Sequence, residues 1–156
     1  MTRLLGIDLG ERRIGLALAD GDGSPARPLA TIRRATSFEA DAVALQRVVA
    51  AQDVDELVVG LALQASGSDG PQATLTRQWA AAMAKRLGLP IAFRDERLTS
   101  HVAETRLGPM KRGRSGGPPS KTQRDTYRAR VDREAASIIL QDELDARAER
   151  RSERAR

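Results

Sequence analysis

Three acidic residues carry the clearest chemical signal in this sequence: Asp8, Glu96 and Asp132. Asp8 interrupts the apolar run LLGIDL, where Leu5, Ile7 and Leu9 alternate with Leu4, Gly6 and Asp8. A carboxylate inside an apolar strand is costly unless it is paired or holds a cation. Gly6 clears space on Asp8's own face, and Gly10 and Gly15 permit close backbone approach nearby. The plainer reading is an Asp at a strand end capping the next turn. Glu96 follows PIAFRD, at the carboxyl end of a predicted strand, where open α/β sheets gather their sites. Asp95 and Glu96 point in opposite directions if the strand persists, so one of them can face a site. The alternative is an ordinary strand terminus paired to Arg94 or Arg97. Asp132 heads a helical stripe with Ala135, Ala136, Ile139 and Leu140. It either aims into a site at the rim of the core or merely complements the helix dipole.

The rest of the composition narrows the chemistry. There is no cysteine and a single histidine, so a thiolate or histidine-rich metal site is excluded. A metal here must be held by carboxylates, which favours Mg²⁺ or Mn²⁺. Carboxylates converging from different elements can hold paired divalent ions about 3.5–4 Å apart, the arrangement that hydrolyses phosphodiesters.

The elements that must position these acids follow from periodicity. Residues 3–9 and 13–19 read as a hairpin with Gly10 in the connection, and 29–33 as a third short strand. Ser37 is a good cap for a helix over 38–52, followed by the buried strand 56–60. Asp69 lies near the cap of a helix over 72–87, which ends at Gly88, and Pro90 opens the strand IAFRDE. A short helix runs to about Leu107. Residues 108–124 show no periodicity and are rich in Gly, Pro and cations, which predicts a mobile basic loop. A last helix is predicted over 128–147, with 148–156 a disordered charged tail. The fold class is α/β: a mixed five-stranded sheet, its first three strands antiparallel, with helices packed on it in one domain over 1–147.

Charge is unevenly placed. Of 156 residues, the first 100 are neutral, with 12 basic and 12 acidic side chains. Residues 106–131 hold 8 basic residues and 1 acidic one, a footprint suited to a polyanion. The compositional alternative is a GC-rich coding bias, since 23 of the 26 basic residues are Arg. Arg12 and Arg13 lie in the turn beside Asp8, and Lys111, Arg112, Arg114 and Lys121 lie in or beside the basic loop. These six are the candidate backbone contacts; solvated surface charge is their other reading. No stretch approaches the roughly 20 apolar residues that cross a bilayer, so a cytoplasmic protein without membrane contact is expected.

The segments GIDLGERRIGLALAD, ELVVGLALQASGSDGPQA, RDERLTS and VDREAASIILQDEL, in that order over nearly the whole chain, resemble the four blocks of the YqgF family. That family comprises pre-16S ribosomal RNA nucleases also described as Holliday-junction-resolvase-like. The resemblance implies a ribonuclease-H-like fold, a divalent metal, and catalysis and metal binding by Asp8, Glu96 and Asp132. It also implies maturation of the 5′ end of the 16S rRNA precursor, with structured RNA the leading substrate. The sequence departs from the family pattern at Ala62, where Pro is usual, at Ser100 of DERLTS, and in a longer Gly/Pro-rich segment before Asp132.

Other functions fit parts of this pattern. A Holliday junction resolvase would act on branched DNA as a homodimer, and monomer and dimer are not separable from sequence. A non-catalytic nucleic-acid-binding ribosome-assembly factor would keep the fold without cleavage. DLGERRIG also resembles the phosphate loop of actin-like kinases, but those need two such lobes and this length supplies one.

Overall fold

The computed structural model describes residues 2–97 and 99–156. The alternating apolar residues of the N-terminal region form three consecutive antiparallel strands, β1 (Leu4–Leu9), β2 (Arg13–Ala19) and β3 (Arg27–Arg33). Two strands separated by helices then join in parallel: β4 (Glu56–Leu61) beside β1, and β5 (Ile91–Asp95) beside β4. The sheet order is β3-β2-β1-β4-β5. This is the mixed five-stranded, ribonuclease-H-like sheet that the sequence predicts.

The sheet sorts its side chains by parity into two cores. Leu5, Ile7 and Leu9 of β1 face α1 (Phe38–Gln52) and α2 (Pro71–Leu87), meeting Leu45, Val49, Ala80 and Met83. Leu4 faces the other way with Ala17, Ala19 and Val58, against Ala136, Ile139 and Leu140 of the last helix, α4 (Lys121–Arg154). The short α3 (Thr99–Leu107) buries Ala103 against Val131, Ala135 and Ile138 of α4. The helix ends follow the local rules: the Ser37 hydroxyl accepts from Ala40 N at 3.2 Å, and α2 closes at Gly88 with φ 69°.

Helix α4 crosses the sheet diagonally. Its start meets β3, where the Thr31 hydroxyl donates to the Ala129 carbonyl, and its far part reaches β4, where Arg147 pairs with Glu56. The crossing is close because β1 and β2 carry glycine beneath it. A Cβ at Gly6 would lie 2.9 Å from the Ala136 carbonyl oxygen and from Leu140 Cβ.

Both ends of α4 correct the sequence expectation. The basic loop expected to run through 124 gives way to helix at Lys121. Ser120 and Gln123 form a reciprocal capping box, Ser120 accepting from Gln123 N at 3.1 Å and Gln123 Oε1 accepting from Ser120 N at 2.8 Å. That signal lies outside any apolar periodicity. The tail 148–156, expected to be disordered, instead continues α4 as far as Arg154. It contains Ala, Glu and Arg without a helix breaker, and Arg147 and Arg150 reach back to Glu143. Among the described residues, no helix is long and apolar enough to cross a membrane.

Candidate active site and nucleic-acid groove

The site begins with what is missing on either side of Asp8. Across the hairpin Asp8 pairs with Gly15 of β2. On the parallel side Ile7 pairs with Val59, so Asp8 comes next to Gly60 of β4. Both glycines leave space that other groups fill. A Cβ at Gly60 would lie 2.6 Å from Glu96 Oε2, and one at Gly15 would lie 2.0 Å from the Asp132 carbonyl oxygen. The two gaps thus admit Glu96 from one side of Asp8 and the α4 backbone from the other.

Glu96 reaches this position because β5 ends beside it. Its N–H donates to the Leu61 carbonyl at 2.8 Å, extending the parallel pairing past Asp95. Arg97 takes the neighbouring carboxylate, donating from Nε to Asp95 Oδ2 at 2.8 Å. Of the two adjacent acids, Glu96 therefore faces Asp8 while Asp95 is engaged at the surface. The Asp8 and Glu96 side chains are hydrogen-bonded to each other. Burial pushes the Glu96 carboxyl up to about 9, and the nearby Asp8 charge adds to the rise. Asp8 is also raised, first by burial; the hydrogen bond from Glu96 opposes the rise and the Asp132 charge adds to it. With its carboxyl at about 9, Glu96 keeps its proton at neutral pH and holds it against Asp8.

Asp132 is on the same side of the sheet but is held differently. Its Oδ2 accepts from Arg13 Nε at 2.6 Å, and the side chain is 22% exposed. Among the described residues, no three His, Cys, Asp or Glu side chains are gathered as a metal-binding set. The structure thus joins Asp8 to Glu96 and keeps Asp132 at the rim, close enough for its charge to act on Asp8.

The donor chemistry suits a hard divalent cation, since all three groups are carboxylates and a shared proton marks where positive charge is wanted. Outside Asp132 an open groove of about 590 Å³ runs between the β1–β2 turn and the start of α4. Its cations are Arg12, Arg13, Lys121, Arg124 and Arg128. Three of the six basic residues singled out in the sequence are gathered here. The other three are not. Lys111 lines a neighbouring recess with Pro109, Tyr127 and Arg130, Arg112 donates to the Gly116 carbonyl, and Arg114 is exposed on the loop. Sequence reasoning missed Arg124, Arg128 and Gly60. The first two were legible, because Lys121, Arg124, Arg128 and Asp132 recur at helical spacing on one side of α4. Gly60 signals its role only once β4 is set beside β1.

A ribonuclease-H-like sheet that carries a carboxyl pair, with a third carboxylate bordering a cation-lined groove, defines a class of carboxylate-site protein. The family model described as "RuvX: Holliday junction resolvase" matches residues 2–146, and the chain belongs to that family, as the YqgF-like blocks imply. A relative from Acaryochloris marina, named "Putative pre-16S rRNA nuclease", is 45% identical over 141 residues, covering 90% of each chain. One from Anaeromyxobacter dehalogenans with the same name is 43% identical over 146 residues, covering 94% of this chain and 98% of its own. A solved structure, "T. thermophilus RuvC in complex with Holliday junction substrate", aligns over 89% of this chain and 92% of its own, at 15% identity and a TM-score of 0.49.

Proposed function

We propose that this protein is a cytoplasmic, metal-dependent nuclease that hydrolyses phosphodiester bonds in structured RNA, in the 5′-end maturation of the 16S rRNA precursor. The observation that carries this reading is the half-buried Asp8–Glu96 carboxyl pair together with Asp132, whose charge acts on Asp8 and which borders a groove lined by Arg12, Arg13, Lys121, Arg124 and Arg128. Relatives named for the same activity cover this chain almost end to end. Asp8, Glu96 and Asp132 are the residues that would hold Mg²⁺ or Mn²⁺. Such an ion supplies Lewis-acid activation of water and neutralises charge building on the phosphate.

The chain's own groups do the rest. Asp8 and Glu96 give up the proton between them, a step favoured wherever positive charge replaces it. Arg12, Lys121, Arg124 and Arg128 hold the phosphate backbone along the groove and set the reacting bond near Asp132. Arg13 orients Asp132, and a substrate phosphate competes for the same guanidinium.

The test is cleavage of precursor rRNA and of a four-way DNA junction, each with Mg²⁺, Mn²⁺ or chelator. Metal-dependent cutting of the RNA, abolished by Asp8→Asn, is the expected result. Preferential cutting of the junction would move the reading to a resolvase, the description carried by the family model. No cutting of either substrate with any metal would end the enzyme reading.

A further inference from the structure

The far half of α4 has a charge pattern that its own stability does not explain. At about 100° per residue, Arg147, Arg150, Arg151 and Arg154 fall on one side of the helix, and Asp142, Asp145, Glu149 and Glu153 on the other. Segregation of this kind sets like charges at i,i+4 four times over: Asp145–Glu149, Arg147–Arg151, Glu149–Glu153 and Arg150–Arg154. Such pairs destabilise a helix, whereas alternating signs would support it. The basic side is anchored by the buried Glu143, which lies 3.5 Å from Arg147 and 3.7 Å from Arg150. Among the described residues, Arg151 and Arg154 form no ion pair at all. The four arginines border a groove of about 460 Å³ with Phe93 of β5 as its floor. All of them lie beyond residue 146, where the match to the family ends.

We infer that this arginine face is a second docking surface for the phosphodiester backbone of a structured RNA, separate from the cleavage groove. Arg150 is eighteen residues beyond Asp132, ~27 Å along the helix axis, so the two surfaces contact different stretches of one substrate. Four arginines on one side of a rigid helix match a polyanion, and counterion release from that polyanion supplies the binding energy that the like-charge pairs lack. The proposal rests on the reading of the protein as RNA-acting but not on catalysis.

The experiment therefore measures binding in chelator, where no cleavage occurs. The full-length Arg150→Gln/Arg151→Gln/Arg154→Gln variant is compared with wild type on two probes by fluorescence anisotropy across a salt series. One probe is a structured RNA long enough to span both ends of α4, and the other is an RNA duplex of about six base pairs, too short to do so. Gln keeps helix propensity, and circular dichroism checks that α4 persists. Expected are a loss of about tenfold on the long RNA, a salt slope shallower by about 2, and unchanged binding of the short duplex. The matching Arg→Lys triple variant should retain most of the affinity. Unchanged affinity and slope on the long RNA would overturn the proposal, as would an equal loss on both probes or an equal loss in the Lys variant. Because cleavage plays no part, a failure of the nuclease reading leaves this outcome readable on its own.

Discussion

Asp8 and Asp132 carry the same functional group a short distance apart, yet the protein treats them in opposite ways. Asp8 sits in a strand with neighbours on both sides, beside two glycines, and shares a proton with Glu96. Asp132 sits on a helix that crosses the sheet, at the rim, tied to a cation that also lines the open groove. The first position is fixed by hydrogen-bonded backbone and close packing. The second is fixed partly by an ion pair with Arg13, which on the proposed reading a substrate phosphate would compete for. One site thus combines a rigid floor with a rim that responds to what enters the groove.

The largest expected break in this comparison is chemical. Asp8→Asn should lower the cleavage rate by on the order of a thousandfold or more, since it removes the carboxylate that both Glu96 and Asp132 act on at the floor of the site. Asp132→Asn should cost about a hundredfold, because the floor remains and the amide still accepts a hydrogen bond. Single-turnover rates on the same RNA check both, and an equal or reversed order would dissolve the distinction between floor and rim.

Packing separates the two sides next. At Gly15 the neighbour is helix backbone: the Asp132 carbonyl oxygen lies 2.0 Å from where a Cβ would stand, and backbone cannot swing aside. Gly15→Ala should therefore cost about 2–3 kcal/mol of stability by displacing α4. At Gly60 the neighbours are the Glu96 carboxylate and the tip of Ile139, both 2.6 Å away and both side-chain ends. Gly60→Ala should cost less stability, about 1 kcal/mol, while displacing Glu96 from Asp8 and suppressing activity. Denaturant midpoints set against cleavage rates decide it. A greater stability loss at Gly60 than at Gly15 would contradict this account.

These glycines also mark where the sequence was legible and where it was not. Strand and helix positions followed from periodicity and caps, so β1, β4, α1 and the parallel joining of β4 were readable in advance. Asp8 stood out locally because a charge in an apolar strand needs a reason. Glu96 and Asp132 did not, because each also makes sense as a strand end or a helix dipole partner. What distinguishes Glu96 from Asp95 is Arg97, which captures Asp95; that choice depends on how the chain turns after β5. The start of α4 was missed because a capping box announces it, not an apolar stripe, and moving that start to Lys121 brings Lys121, Arg124 and Arg128 onto the groove.

The shared proton gives the floor a pH signature that the rim lacks. Glu96 moves from an ordinary value of 4.5 to about 9 in the fold, chiefly by burial. Between those values the folded state binds a proton that the unfolded state releases, so metal-free stability falls as pH rises through that window. Glu96 alone contributes at most about 1.4 kcal/mol per pH unit, and Asp8, raised in the same direction, adds to the decline. Glu96→Gln should flatten it, and Asp132→Asn should leave most of it in place. Denaturation in chelator from pH 5 to 9 measures the slopes; a wild-type slope of the opposite sign, or one that Glu96→Gln leaves unchanged, would remove the proton from the pair.

The smallest effect tests the exchange at the rim directly. If Arg13 holds Asp132 until a phosphate draws it off, removing the guanidinium should leave Asp132 available without substrate. Arg13→Ala should then bind Mn²⁺ about fivefold more tightly in the absence of nucleic acid, roughly the 1 kcal/mol that a partly exposed ion pair contributes. Adding RNA should tighten Mn²⁺ binding to wild type and do so less for the variant, because the two ligands are coupled through the same guanidinium. Titration of Mn²⁺ with and without RNA, using Asp8→Asn as a non-binding reference, measures the coupling. Equal Mn²⁺ affinity in wild type and Arg13→Ala would mean that Asp132 does not exchange between Arg13 and the floor, and that the rim is as fixed as the sheet beneath it.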